Sequence, residues 1–259
     1  MTMDLNNKNI VITGAASGIG LALLEAISKI PKVTIMATDI NPSAHSFPEC
    51  VHFIQQDIAN QQGVDTLFAQ ALERMGHIDL FIANAGFAYY EQTQQANWQH
   101  IENIYQCNTF SPIYSAHKMA SVNQGREYGV LVTASFMGLY SLPGYSLYSS
   151  TKAALLSWAD AYRREKDDQG HIMMLCPVAT KTHFFDTKAP VPWPSQSAED
   201  VALAAIKGVQ DNRHRIYPSK LSVLTLALNW VFPLVMPIYK KIEGAKFSKW
   251  LAQHAGSEN

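Results

Sequence analysis

Thr13-Gly14-Ala15-Ala16-Ser17-Gly18-Ile19-Gly20 stands between the apolar run Asn9–Thr13 and the helix-like stretch Leu21–Ile30. Glycines let a backbone turn sharply and come close to another group. A helix that begins at such a turn aims its unpaired N–H groups and the positive end of its dipole back across it. That combination suits a pyrophosphate, with Gly14, Ser17, Gly18, Ile19 and Gly20 as its contacts. A plain tight turn between strand and helix is the structural alternative.

Outward from this turn, Val33–Thr38, Val51–Gln55, Ile78–Ala83, Gly129–Thr133 and Ile172–Cys176 read as further buried strands, with helical patterns between them. Repeated βαβ units of this kind fold into a parallel sheet with helices on both faces. The expected fold is therefore α/β: a Rossmann-type doubly wound sheet in three layers, forming one domain over residues 1–259. The Gln-rich piece Gln92–Gln99 is too short to count as low complexity. Beyond Cys176 the pattern loosens at Pro177, Pro190, Pro192 and Pro194, which predicts a mobile substrate loop over about 178–197. Ser197-Ala198-Glu199-Asp200 then opens a helix to about Gln210.

Asp39 lies at the end of the second strand, 19 residues beyond Gly20. A carboxylate there accepts hydrogen bonds from an adenosine ribose and repels a 2′-phosphate. No Arg or Lys lies between Asp39 and Phe53, so the pattern selects NAD over NADP. The competing reading is that Asp39 only caps a turn ahead of Pro42.

The 259 residues are 47% hydrophobic but only 16% charged, which leaves some surface apolar and in need of cover. A formal net charge of -1, with no block of like charges, gives no electrostatic footprint for nucleic acid or anionic lipid. Cys50, Cys107 and Cys176 lie far apart and in no metal-ligand spacing, so no metal is expected. Together with a polar Met1–Lys8 that leaves no room for a signal peptide, they point to the cytoplasm.

Tyr148-Ser149-Ser150-Thr151-Lys152 begins a helical stretch in which Tyr and Lys share a face. An ammonium beside a phenol favours the phenolate and draws its pKa toward the working range. From Asn9 to about Thr182 the chain resembles the short-chain dehydrogenase/reductase family in an ordered series of motifs. These are the glycine turn, Asp39, Asp57-Ile58, Asn84-Ala85-Gly86, Asn108, Ser135, and Tyr148 with Lys152, Ser135 preceding Tyr148 by 13 residues. The resemblance implies hydride transfer between a nicotinamide ring and a carbonyl or secondary alcohol. It also implies that Asn108, Ser135, Tyr148 and Lys152 are catalytic. Tyr148 would be the acid/base, Ser135 would hold the substrate oxygen, Lys152 would also bind the nicotinamide ribose, and Asn108 would hold a water linking Lys152 to solvent. Asp57, Ile58, Asn84, Ala85, Gly86, Pro177 and Thr182 join the cofactor contacts. A departure is Pro177-Val178, where the family usually has Pro-Gly; a valine disfavours positive φ and adds bulk beside the nicotinamide.

Phe87, Tyr89, Phe136, Met137, Leu142, Tyr145, Phe184, Phe185 and Trp193 flank the expected site and imply a hydrophobic substrate, with His183 as a residue that could orient it. A catalytically idle dinucleotide-binding or membrane-associated regulatory protein is the alternative function, and a homodimer or homotetramer the expected assembly. Leu221–Tyr239 contains no charged side chain over 19 residues and is flanked by Lys220 and by Lys240-Lys241. Asn229, Pro233 and Pro237 argue against a membrane span. Two readings remain open: packing on the substrate pocket or a second subunit, and a peripheral patch that enters a lipid interface through Leu226, Trp230, Phe232 and Leu234.

Overall fold

Parallel pairing of β1 (Asn9–Thr13) with both β2 (Thr34–Asp39) and β4 (Leu80–Ala83) puts the first strand at the middle of a seven-stranded sheet. The computed structural model describes residues 3–92, 98–166, 168–182, 184 and 191–254. Between these strands come α1 (Gly18–Ile27), β3 (Val51–Gln55) and α2 (Gln61–Met75). They are followed by α3 (Trp98–Tyr105), a π-turn Gln106–Phe110, α4 (Ser111–Val122), β5 (Tyr128–Thr133) and α5 (Ser146–Glu165). The chain continues through β6 (Gly170–Leu175), the short pair β7 (Ala179–Thr180) and β8 (Ser195–Gln196), α6 (Ala198–Gln210) and β9 (Arg215–Ile216). It closes with α7 (Lys220–Val231) and α8 (Val235–His254).

Strand order β3-β2-β1-β4-β5-β6-β9 reverses direction between β1 and β4, the switch point where open parallel sheets form a crevice at their carboxyl ends. The expected Rossmann-type fold is present. The six expected strands appear with ends shifted by a residue or two, as fraying ends do. The seventh, β9, has two residues and no apolar run to announce it. The β7–β8 pair gives order to both ends of the expected loop, whose His183 and residues 185–190 lie outside the described residues, as does most of the Gln-rich piece.

Alternating side chains of β1 separate the two halves of the core. Ile10 and Ile12 pack with Leu23 and Ile27 of α1 and Val201 of α6, while Val11 faces Leu67 and Phe68 of α2, Met119 of α4 and Leu155 of α5. Ser197 accepts from the Asp200 N–H at 3.1 Å and so starts α6, as its sequence proposes. Phe68 is fully enclosed and stacks on Phe81 with centroids 5.2 Å apart. Phe68→Ala is expected to destabilise the fold by about 3–5 kcal/mol through lost burial and the cavity left behind. A denaturant melt measures this; a change below about 1 kcal/mol would show that the site refills.

Candidate active site

Two ties bind the ends of β1 and β4 at the switch point. Thr13 Oγ1 accepts from the backbone N–H groups of Asn84 (3.0 Å) and Ala85 (3.1 Å), and Asn84 Nδ2 donates to the carbonyls of Thr13 and Gly14 at 3.2 Å each. The opposite side of that amide, Asn84 Oδ1, accepts from Thr133 on β5 at 3.1 Å. Asn84 lines the cleft, but its side chain holds the turn to the sheet. Gly14 has φ +67, and a Cβ on it would come within 2.7 Å of Ala85 Cα; one on Gly20 would come within 1.9 Å of the Gly14 carbonyl oxygen. Both positions therefore need glycine. Ser17 precedes α1 without a side-chain cap, and Ser17, Gly18 and Ile19 at the start of the helix line the cleft.

This cleft, about 480 Å³, runs along the carboxyl ends of the strands. It gathers Gly14, Ser17, Gly18, Ile19, Asp39, Asp57, Ile58, Asn84, Ala85, Gly86, Ser135, Tyr148, Lys152, Pro177 and Thr182 from the expected site. Gly20 and Asn108 stand behind its wall. Asp39 Oδ2 accepts from the Ala16 N–H and Oδ1 from the Asn41 N–H, both at 3.0 Å. The capping role and the cleft position therefore coexist, and the carboxylate is held against the glycine turn. Among the described residues the only cation lining the cleft is Lys152, at the other end.

That other end is built on the first turns of α5. Tyr148 and Lys152, four residues apart, share a buried face, with Lys152 Nζ 5.7 Å from the Tyr148 ring centroid. The ammonium donates to the Thr133 carbonyl at 2.8 Å, which fixes its position at the end of β5. Ser135 follows that strand, accepts from the Met137 N–H at 3.1 Å, and hydrogen-bonds Tyr148 through its side chain. Asn108 sits in the π-turn and is fully buried. It accepts from the Phe87 N–H (3.0 Å), and donates to the Phe87 carbonyl (2.8 Å) and to Thr151 Oγ1 (3.3 Å). Its side chain thus braces the Gly86-Phe87 corner against α5.

Burial dominates the titration of this end. It pushes the Tyr148 phenol up to about 12, the Ser135 hydrogen bond opposing, and lowers Lys152 to about 8. The sequence reading expects Lys152 to draw Tyr148 down; desolvation of a fully enclosed phenol goes the other way and is the largest influence on it. Val178 also answers a sequence expectation, since it does not adopt positive φ and the chain takes valine there without a left-handed backbone.

The expected aromatic surround is real and larger than expected. Phe87, Tyr89, Met137, Leu142, Tyr145, Tyr148 and Phe184 form one cluster. The Phe184 ring lies 5.4 Å from that of Tyr148, edge to face. Phe185 and His183 lie outside the described residues. A second cavity of about 180 Å³ shares Ser135, Met137, Val178 and Ala179 with the cleft and continues between Phe136, Tyr140 and Trp193 toward Leu221 and Tyr239. Sequence reasoning misses Tyr140, which follows Phe136 by one short turn, and Tyr239, which only the fold-back of α8 brings here; Tyr239 donates to the Trp193 carbonyl at 2.7 Å.

An open parallel sheet with a glycine turn at its switch point is an architecture that binds dinucleotides there. Residues 8–191 match the short chain dehydrogenase family model, and the chain belongs to that family. Over 189 residues it is 26% identical to Oxidoreductase calM of Penicillium decumbens, a match covering 68% of this chain and 62% of that protein, so the chain spans less than two thirds of it. Over 251 residues it is 24% identical to Ketoacyl reductase HetN of Nostoc sp., covering 88% of this chain and 86% of that one. A short chain dehydrogenase/reductase from Burkholderia phymatum, solved with NAD, shares the fold with a TM-score of 0.77 at 20% identity, over 88% of this chain and 94% of that chain. Solved proteins of this fold carry either NAD or NADP.

Proposed function

We propose that the protein is an NAD-dependent oxidoreductase acting on the carbonyl or secondary alcohol of an apolar substrate, with Asn108, Ser135, Tyr148 and Lys152 as its working residues. The observation that carries this reading is the meeting of two spaces at Ser135: the long cleft beneath the glycine turn and the apolar cavity behind it. The cleft's residues fit a dinucleotide. Gly14 and Gly20 have backbone where a Cβ would need to be, and the uncapped start of α1 suits a pyrophosphate. When bound, the nicotinamide group supplies or accepts the hydride.

The chain's own groups handle the oxygen. Ser135 and Tyr148 donate to the substrate oxygen, where negative charge grows as the carbonyl is reduced. A phenol held up at about 12 remains protonated at neutral pH, so Tyr148 enters the reductive direction as proton donor. The Lys152 ammonium then steadies the phenolate it leaves. The aromatic cluster around Tyr148 excludes water and accepts an apolar body. The ketoacyl substrate named for the Nostoc relative is of this kind. Free Cys50, Cys107 and Cys176 support a reducing compartment such as the cytoplasm, and a homodimer or homotetramer is the expected assembly.

NADH consumption across a series of aliphatic ketones tests the reading. kcat/KM is expected to rise with chain length, and a series in which no ketone or aldehyde is reduced and no matching alcohol oxidised would sink it. For the cofactor, NADH is expected to bind more tightly than NADPH, and Asp39→Ala to narrow the gap by about tenfold, since among the described residues lining the cleft no cation lies beside the Asp39 carboxylate to meet the extra phosphate. Titration of both dinucleotides decides; equal affinities in the parent protein would remove Asp39 from the selector role.

A further inference from the structure

Helix α7 is inside out for a soluble protein. Its half-buried or buried side carries Ser222, Thr225 and Asn229, of which Asn229 donates to Tyr140 Oη at 3.3 Å and accepts from the Met236 N–H at 3.0 Å. At about 100° per residue the opposite half of the helix is formed by Leu221, Val223, Leu224, Leu228, Trp230 and Val231, all exposed. Exposed apolar residues follow through the turn at Phe232, Pro233 and Leu234 and onto α8 at Ile238 and Ile242. Trp230 is 88% exposed. An apolar surface of this kind is one that a partner covers.

Charge indicates which partner. Residues 220–254 hold five lysines (220, 240, 241, 246 and 249) and one carboxylate, Glu243, in a chain whose other residues hold 15 basic and 20 acidic side chains. The whole-chain balance of -1 hides this local excess. Lys220 and Lys241 are exposed at the borders of the apolar surface, and Lys249 lies further along α8 on its exposed side. A second copy docked about a twofold axis would set this lysine-bordered surface against itself. An anionic lipid surface complements both its parts. Among the described residues no single helix is long and apolar enough to cross a membrane, and α7 and α8 are bent by 118° at the turn. Leu226, expected among the inserting residues, is half-buried on the inner side of α7 instead.

The apolar cavity reaches the edge of this surface at Leu221. Trp193 and Leu221 line it and are also exposed, 68% and 39%, so its outer end lies beside the apolar surface while its inner end is Ser135. We propose that α7 and α8 dock the protein flat on an anionic bilayer, and that this cavity is a lateral door through which a bilayer-resident carbonyl or alcohol reaches Ser135 and Tyr148 without crossing water. The cofactor keeps its own mouth at the glycine turn. The docking stands on the surface alone; the door rests on the oxidoreductase reading above.

The test uses the full chain with phosphatidylcholine vesicles, plain or with roughly one-third phosphatidylserine. The parent protein is expected to float with the anionic vesicles and much less with plain ones. A Trp230→Ser, Phe232→Ser double variant should bind on the order of 100-fold more weakly. It should reduce a short, water-soluble ketone at the parent rate and a long-chain methyl ketone embedded in vesicles about tenfold more slowly. NADH binding, read by its fluorescence, should be equal in the two proteins, and its absence from both would instead count against the oxidoreductase reading. A parent protein that stays in the aqueous fraction overturns the docking, and so does a parent dimer that the double variant splits, which would make a second copy the occupant. A double variant that fails to float yet turns over the embedded ketone at the parent rate overturns the door.

Discussion

Tyr148→Phe is expected to lower turnover about 10²–10⁴-fold while leaving dinucleotide affinity within a few-fold of the parent, because the ring stays in its enclosed place and only the proton-bearing oxygen is lost. The edge-to-face packing on Phe184 and the cation over the ring survive the change, so the fold should melt as before. Paired measurements of kcat and of cofactor Kd make the distinction. A variant retaining parental turnover would take the acid/base role from Tyr148. One that loses cofactor binding as well would show that the hydroxyl helps shape the cleft.

Removing the charge at Lys152 is expected to have the next largest effect, and pH gives it a signature. The ammonium stabilises the phenolate that forms when Tyr148 gives up its proton, so reduction needs Lys152 charged. Burial has lowered its pKa to about 8, so the charge is present below that pH and lost above it. The rate of ketone reduction should therefore be flat toward neutral pH and fall by about tenfold per unit well above pH 8. Lys152→Met keeps the length of the side chain without the charge. It should reduce turnover on the order of 100-fold, weaken dinucleotide binding, and abolish the alkaline limb. An alkaline limb that persists in Lys152→Met would belong to another group, and Lys152 would lose its assigned role.

Much of the fold was legible because it rests on local rules. Buried parallel strands need unbroken apolar runs, and five residues such as Asn9–Thr13 satisfy that alone. The glycine turn was legible for a similar reason: a backbone at φ +67 with Ala85 against it admits almost nothing else at residue 14. Spacing along one helix placed Tyr148 and Lys152 on one face, and the order of motifs brought Ser135 to them. The two-residue β9 was not legible, since two residues carry no period. Nor was the bracing of Asn108 on Phe87 and Thr151, whose partners lie 21 and 43 residues away.

The sequence by itself determined the α/β class, the glycine turn at the end of β1, and the shared face of Tyr148 and Lys152, because each depends on short-range periodicity or on what one residue type alone permits; Asp57, Asn84, Asn108 and Ser135 were expected only through the resemblance to the family. Tertiary structure decided the rest. The titration of Tyr148 turned on enclosure by Phe184, Tyr145 and Leu142, which a four-residue spacing does not reveal, and desolvation there outweighs the Ser135 hydrogen bond. The direction in which Leu221–Tyr239 faces was also undecidable from composition. An uncharged stretch packs inward or outward according to what its polar residues find, and Asn229 finds Tyr140 and Met236 across a turn that only the folded chain makes. Those hydrogen bonds hold the polar side of α7 inward and leave its apolar side outward.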